Sequence, residues 1–184
     1  MHSNADISAK LLKQNIDSSS FELITPAGQS IIHFAFPGQH NVMNALAATA
    51  MALAAGVAFD AIVTGLKNAR PVAGRQVMME LDNDAILIDD SYNANPGSVA
   101  AAIDSLASAC ALDKRTAVLV LGDMAELGES GESLHAQVGL YAKSQGIKQI
   151  FACGVLSRAT CSGFGDGAQY FSTRSDLIVA LKQS

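Results

Sequence analysis

Three observations predict an α/β fold built in two parts. Between residues 21 and 36, two β-prone segments flank a Pro-Ala-Gly-Gln turn, the pattern of a β-hairpin. Beyond residue 76, short apolar runs alternate with helix-length segments, which predicts a Rossmann-like domain with a mostly parallel sheet. Between these regions Arg70-Pro71-Val72-Ala73-Gly74-Arg75 breaks all periodicity and reads as a linker. The expected division is a hairpin-plus-helices part over 1–70, a hinge over 71–76 and the Rossmann-like part over 77–184. No α/β core precedes the first strands and no strand follows the last helix, so the chain reads as a piece of a longer protein.

The elements follow in order. Residues 7–36 read as β-structure, with strands at Phe21–Thr25 and Ile31–Phe36, the second stopped by Pro37-Gly38. Strong helix formers run from Asn41 to Ala55, and Gly56 suits the C′ position. A shorter helix is expected over Phe59–Asn68, with Phe59, Ile62 and Leu66 on one face. After the linker, strands are expected at 77–81, 85–88, 117–121, 149–153 and 169–171, with helices at 97–109, 131–145 and 173–183. Asp82-Asn83-Asp84 is short enough to make the first two strands an antiparallel hairpin. The others must be parallel, joined by right-handed crossovers.

Composition narrows the function classes. The chain of 184 residues is 49% hydrophobic and carries a net charge of −5, which argues against a nucleic-acid partner. The Ala-rich stretch 44–57 comes nearest to a membrane span, but its small side chains and shortness suit a tightly packed helix. The start, Met-His-Ser-Asn-Ala-Asp, lacks the basic and apolar regions of a signal peptide. Cys110, Cys153 and Cys161 show no zinc-type spacing and suit reduced thiols in a cytoplasmic protein. Trp is absent, so aliphatic packing must supply most of the core.

The most informative stretch joins the apolar run Ala85–Ile88 to Asp89-Asp90 and a polar loop, and then to Asn95-Pro96. Asn at an N-cap and Pro at the first helical position open a helix whose Val99, Ile103 and Leu106 share a face. Ligands of open α/β sheets bind where strands end and helices begin. There Asp90, an acceptor-only group, suits a ribose diol, with a capping carboxylate as the alternative. Tyr92 and Asn93 add polar groups to the same crevice.

Gly38-Gln39-His40-Asn41 opens the first long helix, and Asn44 shares a face with Asn41. A carboxamide can match an adenine edge, but helix capping is the commoner use of such residues. Arg75 could reach a phosphate from the hinge or simply be solvated. Gly122-Asp123-Met124-Ala125-Glu126-Leu127-Gly128 follows another strand. Its two carboxylates could hold a substrate ammonium or merely favour the next helix N-terminus. His135, one turn into that helix, reads as structural. No P-loop, G-x-G-x-x-G after a strand, H-E-x-x-H, G-x-S-x-G or C-x-x-C is present.

Together, Pro37–Ala48, Pro71–Arg75, Asp89–Ser98 and Gly122–Gly128 resemble, in order and spacing, the Mur ligases, ATP-dependent amino-acid and peptide ligases of peptidoglycan assembly. The resemblance implies that residues 1–70 end a central ATPase domain and that 77–184 form most of the C-terminal domain. It implies an acyl-phosphate route joining D-alanyl-D-alanine to UDP-N-acetylmuramoyl-tripeptide, the third and fourth motifs pointing to that dipeptide. It implies ATP near His40, Asn41, Asn44, Arg75 and Asp90, and the dipeptide near Tyr92, Asn93, Asn95, Asp123 and Glu126. Mg2+ ligands, the P-loop and a carbamylated lysine are expected in a preceding part of the protein. A monomer in the cytoplasm with no membrane insertion and no activity of this piece alone is the corresponding expectation. Two other readings compete: a non-catalytic Rossmann-like nucleotide-binding module, and a related ligase, such as a folylpolyglutamate-type enzyme, with another amine substrate.

Overall fold

The computed structural model describes residues 5–81 and 84–183. Two compact units, Met1–Asp90 and Ser91–Ser184, make up the chain, and each has its own apolar core.

The first unit begins with an antiparallel meander of β1 (Ser8–Gln14), β2 (Ser19–Thr25) and β3 (Gly28–Phe34). Strands β2 and β3 form the hairpin expected from the sequence, closed by the pairing of Thr25 with Gly28. Strand β1, read only as general β-structure, adds a third strand that is bulged between Leu11 and Lys13. Alternation puts Phe21 and Leu23 of β2 and Ile32 and Phe34 of β3 on one buried face. Burying each such side chain is worth about 1.5–3 kcal/mol. Gly28 is required by its neighbour: a Cβ there would stand 3.2 Å from the Phe59 ring, on a backbone with φ of 148°.

Two helices cover that face. Helix α1 (Gln39–Ala54) contributes Val42, Ala45 and Leu46, and α2 (Phe59–Asn68) contributes Ile62 and Leu66. Helix α1 ends as its sequence predicts, in a Schellman motif with Gly56 at a φ of 78°. There Gly56 N–H donates to Leu53 O and Val57 N–H to Ala52 O. Arg70 Nη1 donates to Lys67 O and Ala69 O, at 2.8 Å each, where α2 ends. A cation there also complements the negative end of the helix dipole.

Strands β4 (Val77–Glu80) and β5 (Ile86–Asp89) close the first unit as an antiparallel two-stranded ladder. Asp82 and Asn83 of the expected connecting turn lie outside the described residues.

The second unit opens with α3 (Pro96–Asp113) and then alternates: β6 (Val118–Leu121), α4 (Gly131–Ser144), β7 (Gln149–Cys153), α5 (Ser157–Phe164), β8 (Ala168–Phe171) and α6 (Arg174–Leu181). A single 3-10 turn at Gly128–Ser130 precedes α4. The sheet is parallel in the order β6-β7-β8, with Leu119 opposite Ile150 and Phe151 opposite Gln169. Val99 and Ile103 of α3, Val138 and Ala142 of α4, Ile150 of β7 and Phe164 of α5 form its core.

Helix α5 is absent from the sequence expectation. Its buried residues are Ser157, Thr160 and Phe164, so it has no aliphatic stripe to betray it. It packs by backbone approach to α4 instead. A Cβ on Gly139 would overlap Thr160 O, and one on Gly163 would overlap Ala136 O. Among the described residues no helix is long and apolar enough to cross a membrane.

Candidate functional site

Two of the predicted nucleotide residues, His40 and Asn41, stand at the start of α1 and share one partner, Gln76. The N-cap of α1 is Gly38, with a φ of 87° and no side-chain cap. Neither His40 nor Asn41 therefore caps the helix, the alternative use that the sequence allowed. Asn41 Nδ2 instead donates backwards to Pro37 O at 2.7 Å and, across 35 residues, to Gln76 Oε1 at 3.0 Å. Gln76 Nε2 lies 3.1 Å from His40 Nε2. An amide nitrogen can only donate, so His40 Nε2 is the acceptor and the ring proton belongs on Nδ1. Asn44, one turn further on, is exposed.

The linker is bent so that Gln76 can reach this pair. Arg75 N–H donates to Val72 O at 3.0 Å, and Gly74 and Gln76 take positive φ values of 74° and 53°. A glutamine in the left-handed region costs roughly 1–2 kcal/mol. Its two hydrogen bonds into α1 offset that strain.

The hairpin register then ties Asp90 to the same place. Val77 pairs with Asp89, so Gln76 and Asp90 are the residues that continue the two strands past that pair. Both Arg75 and Asp90 are exposed at this end. Gln76 also lines a cavity of about 260 Å³ with Asp17, Pro71, Val77 and Met78, whose lining includes none of His40, Asn41, Asn44, Arg75 and Asp90. A larger cavity of about 650 Å³, lined by Lys13, His33, Lys67 and Arg70 among others, includes none of the predicted nucleotide residues.

The predicted substrate residues all belong to the second unit. Tyr92 is 66% exposed. Asn93 Oδ1 accepts from Ala94 N–H at 2.9 Å. Asn95 is the N-cap of α3: its Oδ1 accepts from Ser98 N–H at 2.9 Å, and Ser98 Oγ accepts from Asn95 N–H at 3.0 Å. This reciprocal capping box commits the Asn95 carbonyl to the helix.

The loop after β6 is held from two sides. Asp123 Oδ1 accepts from Ser157 N–H at 2.8 Å and from Ser157 Oγ at 2.7 Å, fastening the loop to the start of α5. Burial pushes the Asp123 carboxyl up. The hydrogen bonds from the Ser157 hydroxyl and the backbone of Leu156, Ser157 and Val155 outweigh it and leave the pKa below the ordinary carboxylate value. Met124 is buried, and its N–H donates to His135 Nε2 at 2.9 Å, while His135 Nδ1 is 2.7 Å from Gly131 O. His135 is thus structural, as its sequence position suggested. Glu126 remains exposed on a left-handed backbone with φ of 62°.

Sequence reasoning missed Gln76 and Ser157. Gln76 adjoins Arg75, but its partners lie 35 and 36 residues away, and no local spacing encodes such a contact. Ser157 opens the helix that the apolar pattern could not reveal.

This arrangement can be set beside known proteins. Residues 74–184 match the family model described as Mur ligase, glutamate ligase domain, and residues 1–52 match the Mur ligase middle domain. The chain belongs to the Mur ligase family. Over 179 residues it is 40% identical to the UDP-N-acetylmuramoyl-tripeptide–D-alanyl-D-alanine ligase of Escherichia coli K12, covering 97% of this chain and 38% of that protein. Among solved structures it is similar to MurF from Acinetobacter baumannii, with a TM-score of 0.88 and 34% identity over 99% of this chain and 39% of that one. MurF ligase from Thermotoga maritima, solved in complex with ADP, shares the fold at a TM-score of 0.74 and 18% identity, over 98% of this chain and 40% of that one. The chain therefore spans well under half the length of the relatives it matches.

Proposed function

We propose that this chain belongs to an ATP-dependent ligase that joins D-alanyl-D-alanine to UDP-N-acetylmuramoyl-tripeptide in peptidoglycan precursor synthesis. The observation that carries the reading is the 40% identity to the E. coli enzyme of that name along 97% of this chain. In the proposed reaction a substrate carboxylate attacks the γ-phosphate of ATP to give an acyl phosphate. The dipeptide amine then displaces phosphate and forms the amide bond. Catalysis of such transfers rests on positioning and charge stabilisation.

The first unit would supply nucleotide contacts. His40, Asn41 and Asn44 would face the adenine, Arg75 the phosphates and Asp90 the ribose hydroxyls. The chemistry of the group at α1 fits a base: Asn41 has a carbonyl oxygen beyond its two donated hydrogens. The ADP bound in the Thermotoga relative supports the same reading. Mg2+ is a different case. Among the described residues no group of three or more His, Cys, Asp or Glu could hold a metal ion, so no residue here is assigned to it.

The second unit would meet the dipeptide. Tyr92, Asn93, Asn95, Asp123 and Glu126 are the candidate contacts, with Tyr92 and Glu126 exposed. Asn93 spends its amide oxygen on its own loop and Asp123 one oxygen on the start of α5. We place the protein in the cytoplasm as a monomer, with no nucleic-acid partner and no membrane insertion, in keeping with its net charge of −5.

Titrating the 15N-labelled chain with D-alanyl-D-alanine, with L-alanyl-L-alanine as control, tests this assignment. The D,D-dipeptide should shift amide signals in 91–95 and 122–128 selectively. Identical responses to both dipeptides would remove the D-alanyl-D-alanine assignment and favour a Mur-type ligase with another amine substrate.

A further inference from the structure

The nucleotide reading leaves one residue at the start of α1 without a role. We infer that Gln76 sets the base preference of the proposed nucleotide site. It does so by consuming the second amide hydrogen of Asn41, so that Asn41 offers an incoming base only an acceptor. The inference rests on the assignment of Asn41 to the purine.

The polarity of the group is fixed by elimination. Pro37 O is a pure acceptor, so the atom of Asn41 that lies 2.7 Å from it must be Nδ2. The second hydrogen of that nitrogen meets Gln76 Oε1 at 3.0 Å. Turning the Gln76 amide over would set two NH2 groups against each other. With that orientation set, a Gln76 amide hydrogen points at His40 Nε2, 3.1 Å away, which must accept it. Pro37, Asn41, Gln76 and His40 form one chain of hydrogen bonds with one direction. Both donors of Asn41 are spent within it, and Oδ1 is the polar atom left for a ligand.

A lone acceptor suits a purine whose C6 carries an amino group. At that position a purine with a carbonyl at C6 would set oxygen lone pairs against Oδ1 and could donate only from N1–H, one atom further along the ring. Sites built to take a hydrogen bond from a substrate reject analogues that cannot give it. The left-handed backbone of Gln76, φ 53°, is the local strain that brings its amide to Asn41. Strain of this kind is retained where the surrounding structure needs it.

The test compares ADP with inosine diphosphate, which differs in having a C6 carbonyl, by NMR titration of the 15N-labelled chain without added metal. The wild type should bind ADP at least about tenfold more tightly. Gln76→Met removes both hydrogen bonds and frees an Asn41 hydrogen, so the preference should fall below about threefold. Gln76→Glu still accepts from Asn41 and should keep the preference, although it can no longer donate to His40. A 15N spectrum of the His40 ring should then show Nε2 unprotonated in the wild type and protonated in Gln76→Glu. A Gln76→Met protein that still favours ADP tenfold overturns the role of Gln76 and leaves the nucleotide reading intact. A wild type that binds neither nucleotide overturns the nucleotide reading and this inference with it. A preference lost equally in the Met and Glu variants makes Gln76 a general support of the fold, which also overturns the inference.

Discussion

The backbone N–H of Met124 donates to Nε2 of His135 at 2.9 Å, and both groups are buried. The bond joins the loop after β6 to the first turn of α4, and the Nδ1 contact to Gly131 O fixes the ring. His135→Ala would leave the Met124 N–H without its partner and open a void. It should destabilise the second unit by about 2–4 kcal/mol, read by denaturant unfolding. Hydrogen exchange at Met124 should accelerate as well. Unchanged stability would mean that the loop is held elsewhere.

Asp123 predicts an acid limb to the stability of the second unit. Its folded carboxyl titrates below its ordinary value because Ser157 and the neighbouring backbone N–H groups outweigh burial. Its contribution is therefore full above the unfolded value of about 3.9 and fades as the pH falls below that toward the folded value. Asp123→Asn should lower stability at neutral pH and flatten the loss between about pH 4 and the folded pKa. Parallel stability curves for the two proteins below pH 4 would contradict this.

Two glycines make opposite predictions. Gly139 faces α5 so closely that a Cβ would overlap Thr160 O and stand 2.9 Å from Phe164 N. Gly139→Ala should cost about 1–3 kcal/mol by separating the two helices. Gly65 sits inside α2 with nothing within 4 Å of a Cβ. Gly65→Ala should stabilise the first unit by about 0.5–1 kcal/mol. Thermal unfolding of both variants reads the two signs directly.

Asp90 carries the proposed ribose contact. If its carboxylate accepts from the sugar diol, Asp90→Ala should weaken ADP binding and abolish any preference for ADP over 2′-deoxy-ADP. A wild-type preference of about fivefold or more is expected for a charge-assisted hydrogen bond. Retention of that preference in Asp90→Ala would remove the ribose role.

The legibility of this chain in its sequence follows the physics of each element. The β2–β3 hairpin was readable because alternation and a Pro-containing turn are both local signals. Strand β7 runs over Gln149–Cys153 as expected, since a buried parallel strand is a short apolar run with sharp ends. Helix α3 runs four residues beyond its expected end, to Asp113. No Gly or Pro marks the stop, which is a left-handed Lys114. Helix α5 was hidden because its packing rests on Gly139 and Gly163, not on an apolar stripe. Motifs offered His40, Asn41 and Asp90 as nucleotide contacts, whereas the contact through Gln76 depends on tertiary structure. The same limit applies to Asn95 and Asp123. The sequence offered Asp123 as a ligand contact or an aid to the next helix N-terminus, and Asn95 as an N-cap whose ligand role came only from the resemblance; the structure commits an oxygen of each to a helix start.

The central claim is that the start of α1 and the open end of the β4–β5 hairpin hold a nucleotide. Titrating the 15N-labelled chain with ADP, alone and as the Asn41→Ala variant, tests it most directly. Saturable shifts at His40, Asn41, Gln76 and Asp90 are predicted, with affinity about tenfold weaker in the variant. The absence of shifts at these residues, or equal affinity in the two proteins, would contradict it.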